Sequence, residues 1–174
     1  TAPLLALLML SPRYLRKRRL LRALAFERPV ISFAERVFVS ISADARRRDR
    51  ELEQLRELGC IGVHLRLYAH EPEAATDAKL AFVLQLKRMN FAVAVSLVQD
   101  RATVRDPARW LAFCDRVVGR IHDAVMWVEL LHAVNRVKWG VWSFAELRRL
   151  LAVAPALKAK YRSVSFIGPA VIDF

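Results

Sequence analysis

The stretch GVHLRLYAHEPEAATDAKLAFVLQLKRMNFAVAVSLV, Gly62 to Val98, decides the fold. Two short apolar runs, Gly62–Tyr68 and Phe91–Val98, flank a longer segment of 3.6-residue period, and that alternation is the signature of a βαβ unit. His70 to Thr76 reads as a polar loop, Asp77 to about Met89 as the helix, and Asn90 as its stop. Both runs are near-continuously apolar instead of alternating, which implies strands buried on both faces and a parallel sheet.

The same alternation extends in both directions. Upstream, Val37 to Ser42 reads as a first strand, and Asp44 caps a helix to about Leu58 in which Leu52, Leu55 and Leu58 recur at helical spacing. Arg47 and Glu51 pair on its outer face, and Gly59 stops it. Downstream, the loop Gln99–Asp106 leads to Pro107 at a helix start, and that helix runs to about Ile121. A fourth strand spans Ala124–Leu131, a loop His132–Trp142, a helix Ser143 to about Tyr161, and a fifth strand Ser163–Ile167. Five strands and four crossover helices in strict order fit an open doubly wound sheet or the first part of a (β/α)8 barrel. A dinucleotide-binding sheet wants a glycine-rich turn after the first strand; Ser42-Ala43-Asp44-Ala45 stands there, and only 5 glycines occur in the chain. The expectation is therefore an α/β protein, a partial (β/α)8 TIM barrel. A whole barrel needs roughly 250 residues. The chain begins at Thr1 and stops at Phe174 after an apolar run, so it is expected to be a piece of something longer.

Composition narrows the class. Of 174 residues 55% are apolar, and 29 Lys and Arg stand against 17 Asp and Glu, which excludes a disordered chain. Cys60 and Cys114, both in apolar periodic stretches, make no disulfide framework and point to a reducing, cytoplasmic compartment. The longest apolar run, Ala2 to Leu10, is about half of the ~20 residues a spanning helix needs. The net charge of +12 is uneven: residues 1–50 hold 12 basic and 4 acidic side chains, net +8. Arg13, Arg16, Lys17, Arg18, Arg19 and Arg22 interleave with Leu15, Leu20, Leu21 and Leu24, giving a basic amphipathic helix within a segment 1–30 ahead of the barrel part, 31–174. That helix could lie on an anionic membrane surface through residues 1–24, contact phosphates, or cover an opening of the next domain with its leucines. No recognition motif, stacking platform or zinc spacing supports specific nucleic-acid binding. The basic residues follow the apolar run, the reverse of a signal peptide.

Barrel chemistry sits at the carboxyl ends of the strands. There stand Arg66, His70, Glu71 and Glu73 after the second strand; Gln99, Asp100 and Arg101 after the third; Glu129, His132, Asn135 and Arg136 after the fourth; and Asp173 after the fifth. Each of these is also the kind of residue that a solvated loop carries, but polar residues that interrupt the apolar fourth strand point to a site.

The run VELLHAVNRVKWGVWSFAEL, Val128 to Leu147, resembles the fourth-strand region of the clan of (β/α)8 glycoside hydrolases that includes cellulases and β-xylosidases. That clan ends the strand with a pattern of the type Glu-x-x-Asn-Glu-Pro-Asn, followed by a Trp-containing loop and a helix opening near Ser-x-x-Glu; the matches here are Glu129, Asn135, Trp139 and the capping box Ser143 to Glu146. Val63-His64-Leu65-Arg66-Leu67 is similar to the clan's Val-Arg-Leu run, and Gly168-Pro169 to its usual exit from the fifth strand. The resemblance implies a protein acting on or binding a glycan, with Arg66, Asn135, Trp139, Trp142 and Glu71 toward the carbohydrate, no cofactor and no metal. It departs at the acid/base position, where Ala133 replaces the glutamate, His132 the preceding asparagine and Val134 the proline. Retaining hydrolysis needs two carboxyl groups about 5–5.5 Å apart, and alanine cannot donate a proton. The candidate substitutes are His132, Glu129 and Asp173, with Glu71 able to reach over from a neighbouring strand end. Glu129 lies roughly 13 Å deeper along an ideal strand, where it is expected to pair with Arg66; His132 has a suitable pKa but the wrong strand parity unless the chain bends. The alternative is a catalytically inactive barrel serving as a carbohydrate-binding or assembly module. His70, His132 and Asp173 could converge on a metal, but the His-x-His that metal-dependent barrels favour on the first strand is replaced by Ser40, Ser42 and Asp44. No Gly-x-Ser-x-Gly elbow and no histidine near either cysteine supports nucleophilic serine or cysteine catalysis.

Overall fold

The computed structural model describes residues 12, 15–20, 22, 37–44 and 46–172. The chain divides into two compact units, Thr1–Arg36 and Val37–Phe174. Of the first, residues 12, 15–20 and 22 are helical.

The second unit is α/β, built on a parallel sheet with strands β1 (Phe38–Ser40), β2 (Gly62–Tyr68), β3 (Ala92–Val98), β4 (Trp127–Leu130) and β5 (Ser165–Ile167) in the spatial order β1-β2-β3-β4-β5. Helices α1 (Arg48–Glu57), α2 (Glu73–Arg88), α3 (Arg101–Arg105), α4 (Pro107–Ile121), α5 (Phe144–Leu151) and α6 (Ala154–Lys160) connect them. A doubly wound sheet reverses its strand order at a switch point; this one does not. With right-handed crossovers, a sequential order sends every connecting helix to the same face.

Burial agrees. Val63, Leu65 and Leu67 of β2, Val93, Val95 and Leu97 of β3, and Val128 of β4 are almost wholly inaccessible, and they share a core with Leu80, Val83 and Leu86 of α2 and Trp110, Cys114, Val117 and Val118 of α4. Each such Leu or Val contributes roughly 1.5–3 kcal/mol of transfer free energy. The opposite face departs from the expectation of burial on both sides: on β2, His64 and Tyr68 are half-buried and Arg66 is exposed. That face is also curled. Phe38 of β1 and Trp127 of β4 stand three strand spacings apart, about 14 Å in a flat sheet, yet their ring centroids lie 4.8 Å apart. The Phe38 ring lies against Gly62, where a Cβ would come 3.1 Å from it and 2.4 Å from the Val37 carbonyl.

Several boundaries differ from the sequence reading. The first helix begins at Arg48, with no side-chain cap, because Asp44 instead closes a turn by accepting the Arg46 N–H at 3.0 Å. The expected Arg47–Glu51 pair gives way to Glu51 accepting the Ser42 hydroxyl at 2.7 Å. The second helix starts four residues early, at Glu73, since Pro72 is compatible with a helix entry. The loop after β3 holds α3, whose N-cap Asp100 forms a capping box with Thr103. Pro107 opens α4 as expected, with Asp106 as N-cap. The long last helix breaks at Ala152–Val153 into α5 and α6, with Pro155 in the first turn of the second piece. β1, β4 and β5 are shorter than expected; β1 and β5 each pair on one side only, whereas β4 pairs with both β3 and β5.

Candidate functional site

The curled face carries a row of polar side chains that crosses β1 to β4. Ser40 is in register with His64, and Ser96 with both Arg66 and Glu129, so all five point to the same side of the sheet. Four of them form one hydrogen-bonded row: Ser40 Oγ to His64 Nδ1 at 2.7 Å, His64 Nε2 to Ser96 Oγ at 2.6 Å, and Ser96 Oγ donating to Glu129 Oε2 at 3.0 Å. The other carboxylate oxygen, Glu129 Oε1, accepts from His132 Nδ1 at 2.9 Å. One carboxylate thus holds two histidines, one directly and one through a serine.

His132 reaches Glu129 because the chain bends, the condition its strand parity imposed. Leu131 and Ala133 have φ of +70° and +48°, and these two left-handed residues turn the ring back over the strand end. Gln99 fixes the bend from β3: its amide donates to the His132 carbonyl at 2.9 Å and accepts the His132 N–H at 3.0 Å, all of it buried. Ala133, the second of these left-handed residues, is fully buried.

An aromatic wall stands over this pair. Trp139, in a short 3₁₀ turn Val137–Trp139, stacks on Tyr68 with centroids 6.0 Å apart and meets His132 edge-on at 6.2 Å. Its indole N–H is buried and takes no hydrogen bond among the described residues. Lys79 lies 5.0 Å over the Tyr68 ring and pairs with Glu71 at 2.5 Å, while the His70 ring packs tilted against Tyr68 at 5.4 Å.

The remaining candidates do other work. Glu129 does not pair with Arg66; its oxygens meet Ser96 and His132, and Arg66 lines an open cavity of about 320 Å³ with Ser40, Ile41, Ser42 and Tyr68. Asn135 clasps the chain beyond β5, its amide donating to the Ile172 carbonyl at 2.6 Å and its oxygen accepting the Ile172 N–H at 3.2 Å, so it closes the fold there instead of facing a ligand. Trp142 is held by other partners: its indole donates to the Val137 carbonyl at 3.2 Å, and Arg101 stacks on it at 3.9 Å while donating to the Gly140 carbonyl and to Glu146, both at 2.7 Å. Gly140, at φ +92°, is required there, because a Cβ would stand 2.7 Å from the Arg101 backbone nitrogen. Ser143 accepts the Glu146 N–H as a capping box demands, but Glu146 reaches back to the Trp142 N–H, one residue earlier than the motif. Glu71 is committed to Lys79. Asp173 lies outside the described residues. Among the described residues no three His, Cys, Asp or Glu side chains are placed to hold a metal ion.

Burial, and then the Arg66 charge, push His64 below the ordinary imidazole value, against the opposing pull of Glu129. On the outer helices, hydrogen bonds from Lys160 and Tyr161 hold Asp115 below the usual carboxylate range, and the Trp142 N–H with Arg101 does the same for Glu146.

Sequence reasoning missed Ser40, His64 and Ser96 as site residues. The signal available was weak: a polar residue at alternate positions of otherwise apolar strands, visible at His64 and Ser96 but meaningless until the register joins them. Comparisons with protein-family models, with curated proteins and with solved structures found no match to this chain.

Proposed function

We propose that this chain is the N-terminal part of a glycoside-hydrolase-like (β/α)8 barrel whose strand-end rim binds a glycan. The observation that carries it is the Tyr68–Trp139 wall standing beside the Glu129–His132 pair. Aromatic faces suit the apolar side of a pyranose, and a carboxylate with an imidazole suits its hydroxyls. The sequential strand order and the curl that joins Phe38 to Trp127 support the barrel.

His132 is the group that would move a proton in hydrolysis, its orientation held by Glu129. Ala133 favours the second reading, a carbohydrate-binding or assembly module without turnover. The location that goes with this is cytoplasmic: Cys60 and Cys114 are both free, and among the described residues no helix is long and apolar enough to cross a membrane. Residues 1–24 would then face an anionic inner membrane surface.

Titration calorimetry against a panel of oligosaccharides tests the reading. The wild type binds at least one of them, Trp139→Ala loses at least tenfold in affinity, and His132→Gln stops any reducing-sugar release while retaining binding. Failure of every oligosaccharide to bind, or indifference of affinity to Trp139→Ala, overturns it.

A further inference from the structure

The direction of each hydrogen bond in the row across the sheet follows from donor and acceptor chemistry. A carboxylate only accepts, so the Ser96 hydroxyl proton is committed to Glu129 Oε2. Ser96 Oγ must then accept from His64, which puts the proton on Nε2 of the neutral ring. Nδ1 is left with a lone pair, and Ser40 Oγ, 2.7 Å away, donates to it. The burial that pushes His64 down keeps the ring neutral near pH 7. Ser40 is exposed at the mouth of the 320 Å³ cavity that Arg66 and Tyr68 also line. A hydroxyl, a base within hydrogen-bond reach and a group that orients the base are the parts of an activated nucleophile.

We propose that Ser40 is a nucleophile activated by His64, with Ser96 and Glu129 positioning that base, and that it transfers or hydrolyses the acyl group of a carboxylic ester bound in this cavity. The step balances as follows. Ser40 Oγ attacks the acyl carbon as its proton passes to His64 Nδ1; the ester C–O bond breaks and the alcohol leaves with that proton. Water then attacks the acyl-serine, His64 taking and returning its proton, and the carboxylic acid is released. Arg66, on the cavity wall, supplies the positive charge toward the developing oxyanion. Ser40, His64 and Ser96 take no part in the proposed glycan rim, whereas Glu129 and Tyr68 are shared with it, and label on Ser40 reports on the nucleophile alone.

The site differs from a row of buried side chains that merely satisfy one another, because only a nucleophile reacts covalently. The test is labelling of the full chain with an alkyl fluorophosphonate, followed by peptide mapping; the Oγ–P bond forms and fluoride leaves. The wild type is labelled at Ser40, and Ser40→Ala is not. His64→Gln keeps an acceptor for Ser40 and a donor for Ser96 but cannot take up a proton, and it labels at least 100-fold more slowly. The rate rises with pH through the titration of His64, and Glu129→Gln, by removing a charge that favours the imidazolium, moves that inflection to lower pH. A purely structural role for Glu129 would leave the inflection in place. Circular dichroism confirms that each variant is folded. Absence of label on Ser40 in the folded wild type, or an undiminished rate in His64→Gln, overturns the proposal.

Discussion

Acidification provides a sharp test of the hydrogen-bonded row. In the folded chain His64 is pushed below its ordinary value of 6.5, first by burial and then by Arg66. The native state therefore binds fewer protons than the unfolded chain below pH 6.5, and stability falls as pH drops from there toward the folded value. A single site sets an upper limit: between pH 7 and pH 5.5 the loss is at most about 1.3 kcal/mol, with a slope no steeper than about 1.4 kcal/mol per pH unit. For a chain of this size that ceiling corresponds to a fall in Tm of at most roughly 3–5 °C. Asp115 and Glu146 act in the same direction, but their pKa values are depressed from 3.8 and 4.5, so their contribution is present above those values and is lost only in a more acidic window. Urea unfolding followed by tryptophan fluorescence at half-unit pH steps, for the wild type and for His64→Gln, separates the two. The variant is expected to be flat from pH 7 to pH 5.5 where the wild type declines. Parallel curves over that window would refute the assignment of a neutral, shielded imidazole between Ser40 and Ser96.

Other outcomes follow from particular contacts. Gly140→Ala forces a side chain into a φ of +92° and against the Arg101 backbone, so it should destabilise by about 1–3 kcal/mol in chemical denaturation and release Arg101 from Trp142, seen as a shift in tryptophan emission. Asn135→Ala removes two hydrogen bonds to Ile172 from an exposed clasp and should cost about 1–2 kcal/mol, while oligosaccharide affinity stays within twofold of the wild type. Sedimentation with vesicles containing about one-third anionic lipid should carry down the full chain but not a chain starting at residue 25, and the difference should vanish in ~0.5 M salt. Equal pelleting of the two would remove the membrane-surface reading.

What sequence alone conveyed and what it could not divide along the range of the interactions. Alternation of apolar runs with 3.6-period segments predicts the parallel sheet, and Asp106-Pro107 predicts the start of α4 to the residue, because periodicity and capping are local. The break between α5 and α6 also has a local cause, Pro155, yet it is masked by the apolar period continuing on either side of it. The site was partly legible. Glu129, His132 and Trp139 stand out as polar or aromatic interruptions at a strand end, and the structure brings them together with Tyr68. Asn135 and Trp142 carry the same kind of signal and are spent on closing the fold, which no pattern could distinguish.

The tertiary structure alone decided which polar groups face one another. A strand's sequence says which residues share its face, but only the register between strands places Ser96 beside Glu129 and lets His64 reach back to Ser40. The orientation of His132 depends on two left-handed residues around it, Leu131 and Ala133, neither of a type that favours that conformation, and on a glutamine 33 positions earlier that holds the bend. The curl that joins Phe38 to Trp127 belongs to the sheet as a whole. Secondary structure follows from neighbours along the chain, whereas the row of hydrogen bonds from Ser40 to His132 exists only because four strands, separated by helices, are laid side by side.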